Sequence, residues 1–259
     1  MDLGITGRKA LVCGGSSGLG FACAQALVAE GVDVVIVART EARLQDACVR
    51  LNTLGAASAR WVAADITNAT ARDDIFKHHP HFDILITNAG GPPPGDFRQW
   101  GRDTWLRAID TNMLAPIELI KATVDGMMAR GFGRIVNITS SGVKAPLPSL
   151  GLSNGARSGL TGFVAGLARS TVSSGVTVNN LLPGAIDTAR LASNFAAQAE
   201  REGKTVAAVI ESRLQQHPAA RFGRPEEIGR TCAFLCSVHA GYINGQNLLI
   251  DGGSYHGVM

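Results

Sequence analysis

The sequence has no run of five or more like charges: its 24 Lys and Arg and 21 Asp and Glu are scattered over 259 residues, leaving a formal charge of +3. That balance offers neither the basic stripe of a nucleic-acid reader nor the patch that holds a protein on anionic lipid. Long apolar runs are missing too. No stretch reaches the roughly 18 residues of a membrane span. The opening MDLGITGRKALVCGG has an acid at position 2 and glycines where a signal peptide needs an apolar core. The expected location is therefore cytoplasmic. Cysteine is sparse: five residues, at 13, 23, 48, 232 and 236, an odd number without C-x-x-C spacing. Cys232 and Cys236 fall four apart on an expected helix and share a face. They read as a metal or redox pair or, the favoured reading, as two small buried side chains. Repeats and linkers are also absent. With 46% hydrophobic residues, the chain reads as a single domain, 1–259, large enough for a full core.

What is there is a strict alternation. Short β-branched runs (KALVCGG, DVVIVAR, ARWVAAD, HFDILITNAGG, GRIVNITSS, GVTVNNLLPG and QNLLIDGG) are separated by amphipathic stretches. Expected helices include one ended by Gly31, one over Glu41 to Leu54 and a long one over Thr104 to Met128. The runs are apolar at consecutive positions, as in strands covered on both faces. The fold class is thus α/β: a Rossmann-type, doubly wound parallel sheet of about seven strands, whose ligands sit at the carboxyl strand ends.

The first strand end carries CGGSSGLG, with Gly14, Ser16, Ser17, Gly18, Leu19 and Gly20 between strand and helix. Glycines there allow the tight turn and the approach of a pyrophosphate to the helix N-terminus. The second strand ends in Ala38-Arg39. An acid at position 38 would bind the ribose 2′-hydroxyl of NAD; Arg39 suits a 2′-phosphate instead. NADP(H) is accordingly favoured over NAD(H). His78, His79 and His81 form a cluster on the amino side of the fourth strand, away from the ligand end, and no metal site is expected. Lys144, one of five lysines, lies just beyond the fifth strand and could serve as an acid or an anion anchor.

With these motifs in order, the chain resembles the short-chain dehydrogenase/reductase family over nearly its whole length. The glycine turn matches, with Cys13 where Thr is usual. The resemblance implies that Asp65 and its neighbour Ile66 meet the adenine, and that Asn88, Ala89 and Gly90 form the structural motif beside the cofactor. It further implies that Asn112 and Ser140 are catalytic, and that Pro183, Gly184, Ile186 and Thr188 contact the nicotinamide end. Residues 189–217, two helix-like pieces divided by Gly203, fall where the family places a mobile substrate-covering segment. One departure is decisive. Thirteen positions after Ser140, where the family reads Tyr-x-x-x-Lys, this chain has Ser153 and Arg157; a register one residue later gives Asn154 and Ser158 but loses the downstream match. Together with GGPPPGDF from Gly90, this resembles a divergent subgroup similar to β-ketoacyl-ACP reductases. The implied partners are a small-molecule or acyl-thioester substrate and further copies of the chain, as a homotetramer or homodimer.

The substitution alters the chemistry. The family's Tyr, near a pKa of ~10 and lowered by the adjacent Lys, gives a proton to the carbonyl oxygen as hydride arrives from the nicotinamide. Serine is far less acidic and too short. Arg157 can donate hydrogen bonds to the nicotinamide ribose but releases no proton near neutral pH. Loss of positioned acid catalysis costs about 10²- to 10⁴-fold. Three readings stay open: a reductase drawing its proton from Lys144 or from water held by Ser140 and Ser153, a lyase or isomerase, and a cofactor-binding protein without turnover.

Overall fold

The structure, a computed structural model, describes residues 1–55 and 57–258. Seven strands form one sheet: β1 (Lys9–Cys13), β2 (Asp33–Ala38), β3 (Ala59–Ala63), β4 (Ile84–Thr87), β5 (Gly133–Ile138), β6 (Val176–Pro183) and β7 (Asn247–Ile250). Every pairing is parallel and the order is β3-β2-β1-β4-β5-β6-β7. After β1 the chain builds outward to β3, then returns to lay β4 against the other side of β1. That reversal opens a crevice at the carboxyl ends of β1 and β4.

Helices α1 (Gly18–Ala29), α2 (Glu41–Asn52), α3 (Ala69–His78), α4 (Arg102–Ile109), α5 (Ala115–Ala129), α6 (Gly151–Thr171), α7 (Ala189–Glu202), α8 (Val206–Gln216) and α9 (Pro225–Cys236) complete the elements used below. Strand side chains alternate between two cores. Ala10, Val12, Val34 and Ile36 pack with Leu27 of α1, Leu44 of α2 and Ile228 of α9. Leu11, Val35, Val37 and Leu85 pack with Ile75 of α3, Leu119 and Ile120 of α5 and Leu160 of α6. Because both faces are covered, the central strands are apolar at successive positions. Truncating one such side chain, as in Leu85→Ala, would cost about 2–5 kcal/mol. The edge strands differ: only Ala59 of β3 is buried and no residue of β7 is.

The helix expected over Thr104 to Met128 is instead two helices joined by a π-turn, Asp110–Leu114, in which the Ala115 N–H reaches back to the Asp110 carbonyl. Pro116 explains the break. It has no N–H for the carbonyl four residues before it, that of Asn112, and its ring crowds that carbonyl. The result is a local widening of the helix at Asn112.

Cys23 on α1 and Cys232 and Cys236 on α9 are fully buried where the two helices meet. Hydrogen bonding from Cys23 and Cys236, with burial, pushes the Cys232 thiol well above its ordinary pKa. At this seam a side chain on Gly229 would run into the Ala22 carbonyl, so the helices touch through backbone. His78 ends α3 with Nδ1 2.8 Å from the Asp74 carbonyl, and His79 rests against Phe82. Among the described residues, no group of three His, Cys, Asp or Glu side chains is placed to hold a metal, and no helix is long and apolar enough to cross a membrane.

Candidate active site

At the β1–α1 turn, Gly14 and Gly18 adopt positive φ angles of 62° and 56°. A β-carbon on Gly20 would strike the Gly14 carbonyl, and one on Gly14 would lie 2.5 Å from Nδ2 of Asn88. The turn and the segment after β4 are therefore pressed together with no room for side chains. Ser17 stands at the N-cap of α1 without capping it, so the first-turn N–H groups keep their hydrogen-bonding capacity. Such a cradle fits the phosphates of a dinucleotide. Ser16, Gly18 and Leu19 are half-buried and Ser17 is exposed around it.

Arg39 and Asp65 stand exposed at the neighbouring carboxyl ends of β2 and β3. The Thr67 backbone N–H bonds Oδ1 of Asp65 at 3.0 Å and the Thr67 hydroxyl at 2.8 Å. The N–H bond in first place, then the hydroxyl and the Arg39 charge, hold this carboxyl below the usual carboxylate range against a smaller desolvation effect. The Ile66 carbonyl accepts from Arg72 at 2.7 Å, which fixes the loop.

The candidate reacting end lies across the crevice. Asn112, 5% exposed, donates from Nδ2 to the Ala108 carbonyl at 3.3 Å. Ser140, at the end of β5, is half-buried and its Oγ accepts from the Gly142 N–H at 3.0 Å. Ser153, 4% exposed, and Arg157 lie one turn apart on α6, and Nη1 of Arg157 donates to Oγ of Ser153 at 2.6 Å. Nη2 of Arg157 reaches the Ala89 carbonyl at 3.4 Å. Asn88, Asn112, Thr139 and Arg157 line one small cavity, with Thr87 behind them. Burial, then the nearby Arg190 charge, pushes the Arg157 guanidinium down to about 10.

Pro183 closes β6, the Gly184 backbone packs against Asp251, and Ile186 pairs with Gly223. Thr188 caps α7 through the Leu191 N–H, and its methyl would lie 3.8 Å from a β-carbon on Gly18. The segment after β6 thus meets the glycine turn. Helices α7 and α8, divided by Gly203 at φ 62°, share a small core of Phe195, Ala199 and Val209. Lys144 directs Nζ at the Tyr255 ring, 5.8 Å from its centroid. Among the described residues its side chain makes no hydrogen bond to Ser140, Ser153 or Arg157.

Of the residues singled out in the sequence, Asn88, Ala89, Asn112 and Arg157 share one cavity, Ser153 is bonded to Arg157, and the glycine turn touches Asn88 and Thr188. Arg39, Asp65 and Ser140 stand at carboxyl strand ends, and Lys144 turns toward the C-terminal segment. Two residues went unnoticed. Pro116, which sets the position of Asn112, carried a legible signal: a proline inside a helical pattern. Arg190 carried a subtler one, since a cation in the first turn of a helix opposes the helix dipole and needs another reason to be there. Its Nη2 donates to the Pro92 carbonyl at 3.0 Å.

Comparison with known proteins agrees with this geometry. A family model described as enoyl-(acyl carrier protein) reductase matches residues 14–255. The chain is 33% identical to the 3-oxoacyl-[acyl-carrier-protein] reductase FabG of Vibrio cholerae over 259 residues, 98% of this chain and 99% of that protein. It is 35% identical to the acetoacetyl-CoA reductase of Cupriavidus necator over 258 residues, 98% of this chain and 100% of that protein. The structure of L-sorbose reductase from Gluconobacter frateurii, complexed with NADPH and L-sorbose, superposes with a TM-score of 0.93 at 30% identity and covers both chains fully.

Proposed function

The chain belongs to the short-chain dehydrogenase/reductase family, and from that premise we propose that it is an NADP(H)-linked oxidoreductase acting on a carbonyl or 3-oxoacyl-like substrate, with Ser153 and Arg157 where relatives place a tyrosine and a lysine. The observation that carries this reading is the Arg157 guanidinium, bonded to Ser153 and turned to the Ala89 carbonyl in the same cavity as Asn112. The glycine turn from Gly14 to Gly20 would hold the dinucleotide phosphates, and Asp65 and Ile66 the adenine. Asn88 to Gly90, Pro183, Gly184, Ile186 and Thr188 would flank the nicotinamide, with Arg157 on its ribose. Arg39 would meet the 2′-phosphate, which supports preference for NADP(H) over NAD(H). When bound, the nicotinamide supplies or accepts the hydride.

The chain's own residues must then move the proton. Ser153 accepts a hydrogen bond from Arg157, but an aliphatic hydroxyl is a far weaker acid than a phenol and its short stem stops well before a phenolic oxygen would. Lys144 is the preferred donor, because its long stem starts on the loop that follows Ser140. Its ammonium faces the Tyr255 ring, 5.8 Å from the centroid, so it would have to swing back toward Ser140 to act. Assembly as a homotetramer or homodimer belongs to this reading. It is supported by Leu106 and Leu114, left 49% and 46% exposed beside the π-turn, and light scattering would test it.

The test is oxidation of NADPH in the presence of a ketone panel, for the parent and for Ser153→Tyr with Arg157→Lys. Measurable turnover by the parent, raised in the double variant, is the expected result. Tight NADPH binding with no turnover by either protein would overturn the reductase reading in favour of a non-catalytic or lyase role.

A further inference from the structure

Gly91, in the segment that follows β4, has an unusual neighbour on each side. A β-carbon at this position would lie 3.1 Å from Nη1 and 3.3 Å from Nη2 of Arg157, and 3.1 Å from Nη2 of Arg190. Two guanidinium groups, from α6 and from the first turn of α7, thus converge on one point above the backbone. Glycine leaves that point open.

Like charges this close need a reason. Among the described residues, Arg157 bonds Ser153 Oγ and the Ala89 carbonyl, and Arg190 bonds the Pro92 carbonyl. All three partners are neutral, and among the described residues neither arginine makes an ion pair with a carboxylate. The α7 N-terminus has no acidic residue in its first turn and adds positive potential of its own. Partial burial also pushes the Arg190 guanidinium below its ordinary pKa. A guanidinium presents five N–H donors in a planar fork, so most donors of this pair have no acceptor among the described residues. Arg157 lies inside, against the cavity of Asn112; Arg190 lies outside and exposed.

Resting on the reductase reading above, in which one edge of the Arg157 guanidinium meets the nicotinamide ribose, we infer that its edge facing Gly91 forms with Arg190 a carboxylate clamp at the mouth of the substrate pocket, which makes the preferred substrate an oxo acid rather than a neutral ketone. A planar carboxylate matches the guanidinium fork. The dinucleotide pyrophosphate is the competing anion, but its cradle is the glycine turn at the start of α1. The clamp instead adjoins Ser153 and Asn112, at the reacting end. An oxo acid held by its carboxylate would present its carbonyl to that cavity from a fixed direction.

The experiment measures kcat/KM for a 2-oxo acid and a 3-oxo acid, each beside its methyl ester, with calorimetric NADPH affinity for every protein. For at least one pair, the acid should exceed its ester by about tenfold or more, the effect of one charge-assisted bond. Arg190→Gln should bring that ratio near one, and Arg190→Lys should recover part of it. Esters reduced as well as acids by the parent would overturn the clamp while leaving the reductase reading intact. A tenfold loss of NADPH affinity in Arg190→Gln would also overturn it, because the anion would then be the cofactor's. If nothing turns over, titration of the same oxo acids into NADPH-saturated protein still reads the site. Binding that is lost in Arg190→Gln supports the clamp although the reductase reading fails; no binding to the parent overturns the clamp.

Discussion

The two ends of the crevice are built from different materials. At the β1 end, the cradle consists of backbone N–H groups and of β-carbons that are missing at Gly14 and Gly20. At the β5 and α6 end, the candidate site is made of side chains: Asn112, Ser140, Ser153 and Arg157. A backbone device is difficult to change piecemeal, since any side chain at Gly20 collides with the turn itself. A side-chain device can be exchanged at two helix positions while α6 keeps its course. The contrast lets the chain match the family model from residue 14 to residue 255 while positions 153 and 157 of α6 hold Ser and Arg.

The comparison can be broken at its chemical end first. If Lys144 supplies the proton, Lys144→Met should lower the carbonyl-reduction rate by about 10²-fold at pH 7, with NADPH affinity nearly constant. An unaltered rate would assign the proton to water instead. The binding end is sharpened by Arg39→Ala, which should reduce the preference for NADPH over NADH by roughly tenfold, the worth of a charged hydrogen bond of ~1.5 kcal/mol. Equal affinities of the parent for both cofactors, measured by calorimetry, would remove Arg39 from the site.

The smallest effect concerns the support beneath both ends. Glu227 takes Arg221 in a two-point contact at 2.7 and 2.8 Å and accepts from the Arg224 N–H at 2.7 Å at the start of α9. The Arg221 contact first, then the Arg224 N–H, hold this carboxyl at about 2 rather than its ordinary 4.5. A carboxyl lowered on folding contributes stability above its unfolded pKa and loses it as pH falls through the folded one. Thermal unfolding of Glu227→Gln should therefore fall slightly below the parent at pH 6. The two curves should converge as pH drops from 4.5 toward 2. A gap that persists at pH 2 would mean that packing, not charge, makes the difference.

Legibility in the sequence followed the range of the cause. The parallel sheet and the glycine turn were readable because strand periodicity and missing β-carbons act over a few residues. That Ser153 and Arg157 stand at the spacing counted from Ser140 was equally plain. The π-turn was hidden because α4 and α5 keep one helical pattern across it, although Pro116 marked the place. The meeting of Arg157 with Arg190 could not be read at all. The two stand on separate helices, and Gly91, which joins them, lies on a third segment.

The cysteines buried between α1 and α9 have a use that depends on none of this chemistry. Cys23, Cys232 and Cys236 admit no solvent while the helices touch, so a thiol reagent can reach them only when the seam parts. Their labelling rate is thus a clock for the opening of the fold, and comparing it with the rate of global unfolding tells whether the seam parts on its own. Read beside catalysis, that clock would tell whether a silent variant has lost its chemistry or only its rigidity.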